Sequence, residues 1–197
     1  SENKTALMLS AARLGTKRLG LLPKELRPSD EIEAYKIQET LHGLLTSSGH
    51  GSIAGHKIGC TTPIMQRFLG INNPCAGGIF NSTTYTLSAS IKFDQLVHPG
   101  VECELGVRLK ADLPSTGSLH TKESVALAVG SVMAAIEIVD DRWNDYTMVD
   151  TPTLIADDFF GAGCVLGEDM ADWTNLDLST VKGSMSINGT EVGHGVG

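Results

Sequence analysis

The stretch GVECELGVRLK at 100–110 alternates strictly: Val101, Cys103, Leu105, Val107 and Leu109 are apolar, and Glu102, Glu104, Gly106 and Arg108 stand between them. A period of two is the mark of a β-strand, because successive side chains point to opposite faces. The apolar row, Cys103 included, is expected to face a core. Glu102 and Glu104 then share the other face, with Cβ atoms roughly 6–7 Å apart. Two neighbouring carboxylates are ordinary on a wet face of an antiparallel sheet. They are also the beginning of a cation site.

A third acid bears on that choice. Glu137 lies in AAIEIVDD, among Ala135, Ile136, Ile138 and Val139, a run that reads as a strand buried on both faces. A carboxylate there needs a partner, because an unpaired buried charge costs several kcal/mol (on the order of 3–5). That partner is either an arginine, Arg108 or Arg142, or a cation shared with Glu102 and Glu104. Three acids without a matching cluster of bases suit a hard divalent ion, Mg²⁺ or Mn²⁺, which takes oxygen ligands and keeps positions open for water or substrate. Such an ion also removes the repulsion among the acids.

Lys57, in GHKIG, is the complementary oddity: a lysine in an apolar, glycine-flanked segment. It either snorkels to water or is held inside to handle a proton or an anion. His56 and His194 show no paired spacing, and Asp140-Asp141 and Asp157-Asp158 read first as turn or helix-end residues, with a place in a site as the alternative for either pair. The glycines of CAGGIF are no phosphate cradle, because no helix follows to offer its N-terminus.

Composition removes several classes. With 197 residues and 41% hydrophobic content the chain can bury one core, or one core and a small appendage. A net charge of −8, with no lysine or arginine stripe, argues against nucleic acid as partner. Cys60, Cys75, Cys103 and Cys164 have no CxxC spacing, which argues against thiolate zinc and a disulfide framework and fits a cytoplasmic protein. No run of 18 apolar residues suggests a membrane span.

The predicted elements are a helix at 4–19 and a stronger one at 30–47. Ser29 or Asp30 caps the second, Glu33 completes a capping box, and Ile37, Leu41, Leu44 and Leu45 form its stripe. A strand follows at 53–61, then a short helix with Thr62 as N-cap, Pro63 at its first position and Gly70 past its end. Residues 71–80 read as a loop and 86–93 as an alternating strand. A helix is predicted at 121–133, strands at 134–140 and 163–167, and a hairpin in VKGSMSINGTEV turning at Asn188-Gly189. The fold class is α+β: a small helical N-terminal region, 1–52, followed by a β-rich mixed-sheet domain, 53–197.

Taken in order, GHKIGCTTPIMQRFLGINNPCAGGIF, VHPGVECELGVRL, AAIEIVDDRW and IADDFFGAGCVLG resemble the 2-keto-4-pentenoate hydratase and 4-oxalocrotonate decarboxylase branch of the fumarylacetoacetate hydrolase superfamily. The resemblance spans about residues 5 to 197. It implies Mg²⁺ or Mn²⁺ held by Glu102, Glu104 and Glu137, with Lys57 as the active-site lysine. It also implies a homo-oligomeric lyase of aromatic-compound catabolism that adds water to a 2-oxo-4-enoic acid through a metal-stabilised enolate, giving a 4-hydroxy-2-oxo acid. A decarboxylase, an acylpyruvate-type hydrolase and a catalytically silent binding subunit are the alternatives. Three substrate-facing positions depart from the hydratase pattern: Cys75 stands where some hydratases have an acid, and Asp158 and Phe160 where they usually have Asn and a small hydroxyl residue. Relatives of the family continue some 60 residues further, so the domain reads as cut short, with lowered stability or a compensating subunit contact expected.

Overall fold

The computed structural model describes residues 2–115 and 117–197. It is an α+β chain led by helices, in two compact units: residues 1–84, 90–101 and 138–164 form one, and 85–89, 102–137 and 165–197 the other. No helix among the described residues is long and apolar enough to cross a membrane.

The first unit is built around two helices. α1 (Glu2–Leu14) stops short of the predicted end at 19. Thr16 takes a left-handed φ of 49° and Lys17 N–H donates back to Ala12 O at 2.9 Å, the close of a Schellman-type end. α2 (Glu31–Leu45) starts as its sequence dictates: Asp30 accepts from Glu33 N–H, while the Glu33 carboxylate accepts from Ser29 N–H and Oγ–H. Ile37, Leu41 and Leu45 of its stripe are buried with Ala6, Leu9, Leu22, Phe80, Trp143 and Ile155 in one cluster, with Leu44 partly buried at its margin. α5 (Thr151–Ala156), capped by Asp150, completes this packing. The N-terminal helices therefore share a core with later parts of the chain.

β1 (Ile53–Gly59) and β2 (Cys75–Phe80) pair antiparallel, joined through α3 (Pro63–Leu69). α3 has the predicted Thr62 cap, and Gly70 is left-handed at 68°. β2 corrects the loop expected at 71–80. Its two central glycines carry no strand propensity, and pairing with β1 decides the matter. Gly78 is required there: a Cβ would lie 2.6 Å from His42 Cε1 and 2.8 Å from Ile53 Cδ1.

β3 (Thr84–Thr86), β4 (Pro99–Leu109), β5 (Val129–Asp140) and β6 (Gly161–Leu166) form a sheet of order β3-β6-β5-β4. The strand expected at 86–93 is corrected. Pairing ends at Thr86, Leu87 turns left-handed at 65°, and Phe93 is 76% exposed. The helix expected at 121–133 is shorter: α4 (Lys122–Ala128), with Thr121 as N-cap, gives way to β5 at Val129. Val129, Gly130 and Val132 are weak helix formers, and Lys110 N–H bonds Ala128 O across the sheet at 2.8 Å. β7 (Lys182–Ile187) and β8 (Thr190–Val196) make the expected hairpin, with Asn188 and Gly189 left-handed at 51° and 80°.

Two burial expectations are corrected as well. Alternation on β4 selects a face but does not provide a cover for it. Val101, Leu105, Val107 and Leu109 are 39–53% exposed, and Cys103 is exposed instead of pointing into a core. β5 is not sealed on both faces either: Ala134 and Ile136 are exposed and Glu137 is half-buried.

Candidate functional site

The carboxylate group comes first. Glu102 and Glu104 sit two residues apart on β4 and so share a face, and β5 is the neighbouring strand. The strands run antiparallel, as Asp141 N–H to His98 O at one end and Lys110 N–H to Ala128 O at the other require. A Cβ on Gly106 would meet Met133 Cγ at 2.8 Å, which fixes the same register and sets Glu137 opposite the Glu102–Glu104 stretch. One oxygen from each of the three carboxylates lies within 4.8 Å of the others. Ligands on opposite sides of one hard cation are about 4.2 Å apart for Mg²⁺ and about 5 Å for Ca²⁺, so the oxygen set fits such an ion. The arginine alternatives have other occupations. Arg108 Nε donates to Asp169 at 3.0 Å, and the Arg142 guanidinium lies against Asp157 at 3.2 Å and Asp140 at 3.8 Å.

Lys57 belongs to the first unit, at the middle of β1. Its ammonium donates to the Phe159 carbonyl at 2.7 Å. The stem is admitted by glycines: a Cβ on Gly77 would stand 3.2 Å from Lys57 Cγ, and one on Gly161 3.5 Å from Lys57 Cδ. The glycines thus leave room for the stem, and the head is bonded to a backbone carbonyl. His56 is exposed on the same strand, and His194 lies exposed on β8 beside Glu191.

The carbonyl that receives Lys57 belongs to an unusual turn. Asp158, Phe159 and Phe160 have φ of 57°, 45° and 66°, three consecutive non-glycine residues in the left-handed region. Each carries a steric cost there of about 1–2 kcal/mol. What holds the turn is the Asp158 carboxylate, which is fully buried. One oxygen is 2.7 Å from His42 Nε2 and accepts from Gly78 N–H at 3.0 Å; the other accepts from Arg13 Nη1 at 3.0 Å. Burial by itself pushes this carboxyl up. The His42 hydrogen bond, the Arg13 charge, the His42 charge and the Gly78 N–H outweigh burial and bring it down to about 2. Arg13 Nη2 also donates to Asp157 O at 3.0 Å, and Arg142 donates to Asp157 from the other side.

The remaining predicted positions are placed as follows. Cys75 opens β2, buried, and burial pushes its thiol up to about 12, so it stays protonated. Phe160 packs edge-on against Tyr146 at 5.6 Å and Phe159 at 6.3 Å. Sequence reasoning passed over Arg13 and His42, and considered Arg142 as a partner for Glu137, whereas its guanidinium lies against Asp157 and Asp140. Arg13 and His42 lie 145 and 116 residues from Asp158, and the one available signal was a histidine on an otherwise well-patterned helix.

No family model matches the chain. The 2-keto-4-pentenoate hydratase of Burkholderia vietnamiensis is 30% identical over 192 residues, covering 98% of this chain and 72% of that protein. The 2-hydroxyhexa-2,4-dienoate hydratase of Comamonas testosteroni is 34% identical over 167 residues, or 84% of this chain and 62% of the relative. Among solved structures, 4-oxalocrotonate decarboxylase from Pseudomonas putida G7, complexed with magnesium and adipate, superposes with a TM-score of 0.86 at 23% identity, over 99% of this chain and 73% of its own. The backbone is therefore that of the decarboxylase, and the level of identity to the hydratases places the sequence with them: the chain belongs to the 2-keto-4-pentenoate hydratase family.

Proposed function

We propose that this chain is a divalent-metal-dependent hydro-lyase that adds water to a 2-oxo-4-enoic acid, with Glu102, Glu104 and Glu137 as metal ligands and Lys57 as the proton-handling residue. The observation that carries the reading is the convergence of three carboxylates from two adjacent strands to within 4.8 Å, in a relative of named hydratases. The decarboxylase of similar fold is complexed with magnesium, so Mg²⁺ is the first ion to test, with Mn²⁺ second. The cation would supply the positive charge that lets a 2-oxo acid become its enolate.

The protein's own residues do the rest. Glu102, Glu104 and Glu137 fix the ion by oxygen donors and leave coordination positions to the substrate. Protonation of the dienol brings its remaining double bond into conjugation with the keto group; water then adds at C4 and a proton returns to C3. Lys57, its ammonium oriented by the Phe159 carbonyl, holds or moves that proton or anchors the substrate anion. The reading carries with it a cytoplasmic, homo-oligomeric enzyme of aromatic-compound catabolism.

The test is calorimetric titration of the metal-stripped protein with Mg²⁺ and Mn²⁺, with and without oxalate as a mimic of the chelating 2-oxo acid, followed by turnover of a 2-hydroxy-2,4-dienoate. Binding that oxalate strengthens, together with loss of the dienoate absorbance, is the expected outcome. Carbon dioxide release from an oxalocrotonate without water addition moves the reading to the decarboxylase. Binding of metal and oxalate without any turnover makes the chain a silent subunit. Lys57→Met is expected to keep metal binding and lose turnover, and retained turnover removes Lys57 from the chemistry.

A further inference from the structure

The left-handed turn at 158–160 is not needed to connect α5 to β6 cheaply, because three non-glycine residues carry its strain. A strained segment persists only where the surroundings over-determine it. Here those surroundings are specific: His42 on α2 and Arg13 in the last turn of α1 grip opposite oxygens of Asp158. Gly78 is bare of a side chain so that the His42 ring can stand where a Cβ would be. One residue along the chain, the turn presents the Phe159 carbonyl to Lys57 Nζ at 2.7 Å.

We propose that His42 and Arg13 are positioning residues for Lys57, acting through Asp158 to hold the turn that aims the Phe159 carbonyl at the ammonium. The inference rests on the reading of Lys57 as the proton-handling group. Its geometry stands apart from that reading. Release of Asp158 lets the turn relax toward ordinary backbone angles, the Phe159 carbonyl swings away, and the ammonium loses that acceptor. Asp158 in this account acts on the backbone instead of on substrate. Its carboxylate is buried and already accepts from Gly78 N–H and Arg13 and pairs with His42.

The experiment is trace acylation of the full chain with acetic anhydride at neutral pH. The extent of Lys57 modification is read by mass spectrometry against the exposed Lys4 and Lys36 in the same sample. His42→Ala is expected to change Lys57 acylation at least threefold with Lys4 and Lys36 unchanged. His42→Gln, whose amide nitrogen reaches the place of Nε2, is expected to return it to within about 1.5-fold of the parent. In turnover, His42→Ala is expected to lower kcat tenfold or more, with KM and Mg²⁺ affinity within twofold, and His42→Gln to restore at least half. Should His42→Ala fail to give a cooperative thermal transition, Arg13→Gln removes the other grip on Asp158 and the same threefold change is expected.

Unchanged Lys57 acylation in a folded His42→Ala or Arg13→Gln protein overturns the proposal, whatever happens to activity. If Lys57→Met keeps turnover, the function assigned to Lys57 fails while the acylation result still decides whether His42 and Arg13 position it.

Discussion

Two groups of acids in this chain have the same chemistry and opposite surroundings. Asp140, Asp157 and Asp158 are buried and lie against Arg13, Arg142 and His42. Glu102 and Glu104 are exposed and Glu137 half-buried, and their oxygens gather on a sheet face while Arg108 bonds Asp169. The first group is an internal ion network that shapes backbone, ending in the turn beneath Lys57. The second is a set of carboxylate oxygens drawn together from two adjacent strands, the set proposed above to hold the metal. Burial with matched bases builds structure, and convergence of acids at a reachable surface is what the proposed metal site requires.

The comparison breaks most sharply at Arg142, whose side chain is almost fully buried between Asp140 and Asp157. Arg142→Leu leaves two buried carboxylates short of their charge partner, and a loss of about 3–5 kcal/mol is expected in urea unfolding. A loss under about 1 kcal/mol means the network is not what holds this region together.

Acid gives the next effect. The Asp158 carboxyl sits at about 2 against an ordinary 3.8, so its contribution to stability is complete above about pH 4 and is lost as pH falls through about 2. Linkage makes that contribution about 2 kcal/mol. Urea midpoints between pH 5 and pH 2 are expected to fall more steeply in the parent than in Asp158→Asn. Parallel curves remove Asp158 from the acid response.

The smallest stability effect sharpens the contrast from the other side. Glu104→Gln alters an exposed side chain and is expected to change unfolding free energy by less than about 0.5 kcal/mol. The same variant is expected to lose Mg²⁺ affinity tenfold or more by calorimetry. Unchanged affinity removes Glu104 from the ligand set, and a large stability loss assigns the carboxylates to structure.

Local signals carried much of the fold. The Asp30 and Thr62 caps, Gly70 at a helix end, the Asn188-Gly189 turn and the alternation of β4 all act within a few residues, and each stands where the sequence puts it. The carboxylate trio was legible for the same reason. A strand's period of two places Glu102 beside Glu104, and an acid within the apolar run of β5 marks the third position. Pairing partners decided what local signals misstate: β2 is a strand despite Gly77 and Gly78, and residues 129–133 leave a helical pattern to extend β5 beside β4.

By itself, then, the sequence determined the helix boundaries set by caps, the face on which Glu102 and Glu104 stand, and the family to which its motifs point. Tertiary structure alone decided that the apolar row of β4 is exposed, that Cys75 is buried and protonated, and that Arg13 and His42 meet at Asp158 beneath Lys57. Periodicity and capping are properties of neighbours along the chain. Burial and ion pairing depend on which distant segments close around a group, and more than a hundred residues separate Asp158 from the groups that hold it.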